Sequence, residues 1–317
     1  MKKIKVGFIG YGLIGKKRSK QLPKKCDFIS FFDPFSKIKS KKRANSLEEF
    51  FNSGIDIVVI STPHKYLSYY SKLSIKKNKH TFIEKPGAIN LVEIKKIYKI
   101  SKRKNLKIAI GYNHRFHPGI IKAQELFKNK LIGELIYIRA IYGHGGRLGY
   151  QNEWRFKKKI SGGGELLDQG SHIIDLIRIF EKKLTVKYSN LKNYFWKSKN
   201  IEDNAFCVLG SKNKLFTFHV SWTEWKNKFN FEIFGKKGKI EILGLGRSYG
   251  KEIVNLYKMK PNMKKPNKKS FIYLKDKSFN LDFENFVQSI IKNKVPENSL
   301  ENAIQTMKII DKIYKFS

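Results

Sequence analysis

Residues 7–15 read Gly-Phe-Ile-Gly-Tyr-Gly-Leu-Ile-Gly, which sets Gly10, Gly12 and Gly15 in a G-x-G-x-x-G spacing. The apolar run before it, residues 4–9, predicts a strand, and residues 13–21 after it predict a helix. Few structures need a strand that turns into a helix through three glycines. Gly10 permits the tight turn, Gly12 lets the backbone approach a pyrophosphate, and Gly15 lets the helix pack close to the strand. The amides at the helix start then face the anion. Asp33 ends the next predicted strand, 28–32, roughly twenty residues further on. A carboxylate there accepts hydrogen bonds from adenosine ribose hydroxyls and repels a 2′-phosphate. Together these features predict a dinucleotide site rather than a purely structural turn. They favour NAD over NADP, although Lys37 just downstream keeps NADP in play.

The alternation continues. Ser46 with Glu49 forms a capping box, residues 55–61 read as a buried strand, 66–77 as a helix and 80–84 as a strand. Asn90 with Glu93 caps a predicted helix over 91–103, and 107–111 make a fifth strand. Strands that are apolar throughout, alternating with helices, predict a parallel sheet covered on both faces, in a domain over residues 1–115. The pattern then changes. A helix over 119–129 and a strand at 134–142 precede a Gly-rich loop and a helical stretch at 165–180. Residues 184–274 are mostly β, with a hairpin at 229–244 turning at 236–238, and helices at 281–293 and 300–315 close the chain. Residues 116–317 are therefore expected to form an α+β domain on an open sheet. The segment 258–270, rich in Lys, Pro and Asn, is expected to be a mobile surface loop.

The chain has 317 residues, a length for about two domains, and its 66 Lys and Arg against 26 Asp and Glu give a net charge of +40. Only nine of those basic residues are Arg. A reader of phosphates or bases would use more of them. The lysines are spread along the chain in short runs, so the charge reads as compositional drift on a solvated surface rather than a specific nucleic-acid face. It still draws in anionic small molecules. Cys26 and Cys207 make no disulfide framework, redox motif or metal spacing, which fits a reducing cytoplasm with no metal. The short N-terminal apolar stretch is interrupted by glycines and lacks a cleavage site, so secretion is not expected. No apolar run reaches the ~18 residues that a transmembrane helix needs.

Two constellations carry candidate chemistry. Glu84-Lys85-Pro86 follows the fourth predicted strand, at the sheet edge where ligands bind in open α/β folds. Lys85 reads either as a nicotinamide-side group or as one more solvated lysine. Asp168 and His172 are four apart and share a helix face, after the glycines at 162–164. They read either as a helix-stabilising pair or as a base held by a carboxylate. His80 and His219 fall in strands and read as structural, while His64, His114, His117 and His144 lie near loops. The segment 143–156 carries Arg147, Trp154 and Arg155. It reads as a solvated loop or as a contact for a sugar bearing a phosphate or carboxylate.

Taken in order, GFIGYGLIG at 7–15, VVISTP at 58–63, EKP at 84–86, GYNHRFHP at 111–118, GGGELLDQGSHIIDL at 162–176 and GKKGKIEI at 235–242 resemble the glucose–fructose oxidoreductase, inositol dehydrogenase and rhizopine-catabolism family over nearly the whole chain. The resemblance implies an N-terminal Rossmann domain and a C-terminal domain on an open, mostly antiparallel sheet. It implies NAD(P)-dependent oxidation of a sugar or polyol carbinol, or reduction of the ketone. Substrate would lie between the domains, and the chain would form homodimers or homotetramers. By motif position Lys85, Asp168 and His172 would be catalytic. Cofactor contacts would come from Gly10, Tyr11, Gly12, Leu13, Ile14, Gly15, Asp33, Ser61, Thr62, Pro63, Glu84, Lys85 and Pro86. Arg115, Arg147, Trp154 and Arg155 would face the substrate. Two positions depart from the pattern: Leu67 stands where members often have a second histidine, and His114 stands for a common arginine. The local pattern around 143–156 resembles members found in surface-polysaccharide and amino-sugar biosynthesis, which implies a sugar or nucleotide-sugar substrate. The alternatives are a polyol dehydrogenase and a nicotinamide-binding sensor without catalysis.

Overall fold

The computed structural model describes residues 3–260 and 264–317. The chain divides into two compact units. The first comprises residues 1–113, 159–162 and 279–307, and the second 114–158, 163–278 and 308–317. The division expected at residue 115 was into two consecutive stretches, whereas each unit here draws on separate parts of the chain.

In the first unit β1 (Ile4–Ile9), β2 (Cys26–Phe32), β3 (Ile57–Ile60), β4 (His80–Ile83) and β5 (Ile108–Ile110) form a sheet in the order β2-β1-β3-β4-β5. Every pairing in it is parallel. β3 is Ile-Val-Val-Ile, buried at all four positions, because helices cover both faces of a parallel sheet. The intervening helices are α1 (Leu13–Ser19), α2 (Leu47–Asn52), α3 (His64–Lys76) and α4 (Leu91–Ser101). Both predicted caps form: Ser46 Oγ accepts from the Glu49 amide at 3.0 Å and Asn90 Oδ1 from the Glu93 amide at 2.9 Å. Helix α8 (Ser278–Ile291), near the C-terminus, completes this unit. Its Phe283, Phe286 and Val287 pack with Val6, Phe8, Phe31, Val59 and Phe82 in one core.

In the second unit β6 (Leu135–Gly143), β7 (Thr185–Lys192), β8 (Asn204–Ser211), β9 (Lys214–Ser221), β10 (Lys228–Gly235), β11 (Gly238–Leu243), β12 (Glu252–Lys258) and β13 (Asn267–Tyr273) make an eight-stranded sheet ordered β13-β12-β11-β10-β6-β9-β8-β7. It is antiparallel except where β6 runs parallel to β9. Helices α5 (Pro118–Lys128) and α7 (Ser171–Phe180) belong to this unit, and the short α6 (Lys158–Ser161) and the closing α9 (Leu300–Phe316) complete the chain. The hairpin β10–β11 turns at the predicted residues. The loop expected over 258–270 needs correction, since Asn267–Tyr273 pairs with β12 along its whole length. Its lysines face outward on the last strand of the sheet, where charge discourages pairing with another chain. Residues 261–263 of that segment lie outside the described residues. No helix among the described residues is long and apolar enough to cross a membrane.

Candidate active site

The turn after β1 uses its glycines as the spacing predicts. Gly10 has φ +85, and a Cβ there would stand 2.7 Å from the Ser61 carbonyl oxygen. A Cβ on Gly15 would collide with the Gly10 carbonyl oxygen and lie 2.9 Å from Ser61 Oγ. Above Gly12 the space is open, and α1 has no side-chain cap. The sheet order reverses at β1 and β3, so this turn sits at the crevice where such folds bind nucleotides. Ser61 donates to the Gly10 carbonyl at 2.7 Å, bracing the turn from the end of β3. The neighbouring Thr62 hydroxyl is shielded from solvent with no hydrogen-bond partner among the described residues, as a group awaiting a ligand would be.

Asp33 is fixed at the same turn. Its Oδ2 accepts from the Tyr11 amide at 2.7 Å and its Oδ1 from the Phe35 amide at 3.0 Å. The Tyr11 side chain faces the unit's own core, with its ring stacked 4.2 Å from Phe31 and its hydroxyl 2.9 Å from Ser19. Leu13 is exposed beside the turn, Ile14 is half-buried, and Pro63 precedes the first turn of α3.

Glu84 has a structural partner that the sequence reading missed. The Arg18 guanidinium, on α1 and buried, ion-pairs with Glu84 and lies 3.1 Å from Asp282 on α8. Asn298 donates to the other Asp282 oxygen at 2.6 Å. This network clamps the turn that carries half-buried Lys85 and buried Pro86. No sequence spacing signals it, because its members lie up to 264 residues apart.

In the second unit the helix predicted over 165–180 is interrupted. Leu166–Gly170 forms a π-helical turn before α7 begins at Ser171. Such turns often mark functional positions. Asp168 lies in the π turn and His172 in the first turn of α7, both buried. The Arg155 Nε donates to Asp168 Oδ2 at 3.2 Å, and the Arg155 guanidinium lies 4.8 Å over the Trp154 ring. The His172 ring stacks on His114 with centroids 3.8 Å apart and planes 23° from parallel. Tyr142, at the end of β6, lies 5.2 Å from His114 and 6.4 Å from His172. Burial, with Tyr249, Glu165 and Asp168 nearby, pushes the Tyr142 phenol well up, and burial first of all pushes Tyr249 up to about 12. Both phenols thus keep their protons near neutrality and can donate.

The neighbouring glycines let backbone reach backbone. Glu202 accepts from the amides of Gly164 at 3.0 Å and Leu166 at 3.2 Å, and from the Tyr314 hydroxyl at 2.7 Å. These bonds pin the loop that leads into the π turn. Of the other expected substrate residues, Arg115 holds Asp175 through two bonds of 2.5 and 2.7 Å. Arg147 is exposed and pairs with Glu153 at 2.5 Å. His117 faces Glu252 at 3.1 Å, and His64 bonds the Ser161 carbonyl at 2.7 Å, so both serve packing. Among the described residues no cluster of potential ligands could hold a metal.

Residues 4–112 match the family model described as "Oxidoreductase family, NAD-binding Rossmann fold", and residues 120–241 match the "GFO/IDH/MocA C-terminal domain". Levoglucosan dehydrogenase of Pseudarthrobacter phenanthrenivorans is 30% identical over 39% of this chain and 32% of its own length. The first curated relatives are matched over 32 to 60% of their lengths, so the chain spans less than two thirds of each. In fold, the chain is similar to a levoglucosan dehydrogenase in complex with NADH, with a TM-score of 0.87 and 17% identity over 99% of this chain and 96% of that one. It is similar too to a 3-ketoreductase from Actinomadura kijaniata in complex with NADP and TDP-benzene, with a TM-score of 0.84 and 15% identity over 99% and 98%.

Proposed function

Because the chain belongs to the GFO/IDH/MocA oxidoreductase family, whose two models together match most of it, we propose that it is an NAD-dependent sugar dehydrogenase or ketoreductase. The observation that carries this reading is the pairing, in one chain, of the Gly10–Gly12–Gly15 turn bearing a fixed Asp33 with a buried histidine four residues after a buried carboxylate. The residues at the turn suit NAD: open space over Gly12, the unpartnered Thr62 hydroxyl, and a carboxylate for the ribose that disfavours the 2′-phosphate of NADP. When bound, NAD supplies the hydride acceptor.

The chain's own residues handle the proton. His172 takes it from the carbinol hydroxyl as the carbon is oxidised, and Asp168, itself set by Arg155, favours the imidazolium that results. By motif position we assign Lys85, on the turn after β4, a donor role at the nicotinamide end of the cofactor. The neutral phenols of Tyr142 and Tyr249 are further donors for sugar hydroxyls. Arg147, Trp154 and Arg155 present a ring and cations that suit a sugar carrying an acidic group. A nucleotide sugar of surface-polysaccharide biosynthesis fits that description, and the +40 charge would concentrate it. The open sheet face, where Tyr137 stacks 4.1 Å from Phe234, suits association of like chains into dimers or tetramers.

The test screens reduction of NAD and NADP with levoglucosan, free sugars, polyols and nucleotide sugars. Lys85→Ala and His172→Ala should each lose turnover by about 10²–10⁴-fold, the usual worth of general acid–base groups, while still quenching NADH fluorescence on binding. Near-wild-type turnover in either variant removes that residue from its role. Turnover of inositol-type polyols alone would replace the sugar by a polyol.

A further inference from the structure

His114 and His172 are the one pair of stacked imidazoles among the described residues, and both are buried. We infer that His114 is a positioning residue for His172, and that the two rings together hold no more than one proton across the working pH range. This rests on the reading of His172 as the proton acceptor.

The stack is close and nearly parallel, so the His114 face fixes the plane in which the His172 nitrogens lie. A base aligned in this way meets the substrate proton along one direction. The same contact couples the charges. A proton on each ring would put two like charges about 3.8 Å apart in a buried site, which disfavours the second protonation strongly.

The groups around the pair come from several elements. His117, whose Nδ1 faces Glu252, lies 5.4 Å from the His114 ring, and Phe229 of β10 lies 6.2 Å from it. Arg115, next along the chain, is tied to Asp175 of α7. Tyr142 of β6 packs against both rings, with Tyr249, Glu165 and the Arg155–Asp168 pair around its phenol. The first proton enters a neutral stack. The second has an imidazolium against it. The acid limb of activity is accordingly a property of the pair, and His114 keeps His172 neutral to a lower pH than an isolated imidazole would manage.

Histidine-labelled full-length protein, titrated by NMR from pH 8 to pH 4.5, tests this without any substrate. In the wild type the His172 and His114 signals should titrate as a coupled pair, with the two steps spread by about a pH unit or more. His114→Phe keeps a ring in the stack but removes its proton, and an aromatic face favours a cation above it. His172 should then titrate in one step, about half a unit or more higher, and the acid limb of turnover should move with it. His114→Gln removes the ring and should lower kcat several-fold while leaving the cofactor Kd unchanged. Independent single-step curves in the wild type would overturn the inference even if no variant folds. So would a His172 curve indifferent to His114→Phe while His172→Asn abolishes turnover of the sugar found in the screen. Turnover retained in His172→Asn would instead overturn the reading on which the inference rests.

Discussion

The backbone amide of Tyr11 donates to the Asp33 carboxylate at 2.7 Å, so the residue expected to select the cofactor is also a strut of the glycine turn. Asp33→Ser should therefore do two things. It should weaken NAD binding about tenfold, the scale of one charge-assisted hydrogen bond, and it should narrow the preference over NADP. Fluorescence titration with NADH and NADPH measures both. An unchanged NADH to NADPH ratio would show that Asp33 braces the turn and nothing more.

Arg18 lies between two acidic side chains, Glu84 and Asp282, with almost no access to water. Arg18→Met should leave both carboxylates buried without their cation and cost about 3–5 kcal/mol, read from the urea midpoint. Arg18→Lys should fall between, because an ammonium cannot fork to both. A midpoint unmoved by Arg18→Met would mean that the network is not buried in solution.

Burial pushes both thiols, Cys26 and Cys207, up to about 12. At pH 8 the thiolate fraction is then on the order of 10⁻⁴, and the thiolate is the reactive form. Native protein should resist iodoacetamide at that pH and take up two labels in guanidinium, as intact mass would record. Rapid labelling of either cysteine in the native state would contradict its place in the core.

His80 offers a pH test of stability. Its Nδ1 accepts the Lys107 amide at 3.1 Å, so that nitrogen must carry no proton, and burial first, then Lys107, lowers its pKa below 6.5. A base depressed in the folded state contributes stability above 6.5 that is lost as pH falls through 6.5 toward the lower folded value. Thermal melts from pH 7.5 to 5 should show this decline. His80→Asn, whose carbonyl oxygen can accept the same amide, should flatten part of it. Identical slopes in the two proteins would assign the loss elsewhere.

The local rules read well from sequence. Ser46 and Asn90 cap the helices they were expected to cap, because a cap depends on residues three apart. The glycine turn, the strand alternation and the hairpin at 236–238 are likewise short-range. What escaped depends on distant partners. The stretch 165–180 has helical periodicity, but over so short a run periodicity does not distinguish about 3.6 residues per turn from the wider π turn around Asp168. Asn267–Tyr273 has a loop's composition and becomes a strand only because β12 lies beside it. His114 stood in a recognisable segment, yet its neighbour His172 is far along the chain and only the folded second unit brings the rings together. The helix near 281–293 was legible as a helix, but its sequence does not say against which sheet it packs.

That last helix has a consequence for biosynthesis. The core of the nucleotide-binding unit includes Phe283, Phe286 and Val287, which leave the ribosome only after the whole second sheet has been made. Until then Phe82 and its neighbours lack the covering that α8 provides. A nascent chain stopped near residue 115 would display a greasy sheet face, a natural target for chaperones, and the first unit cannot complete its core until α8 has been made.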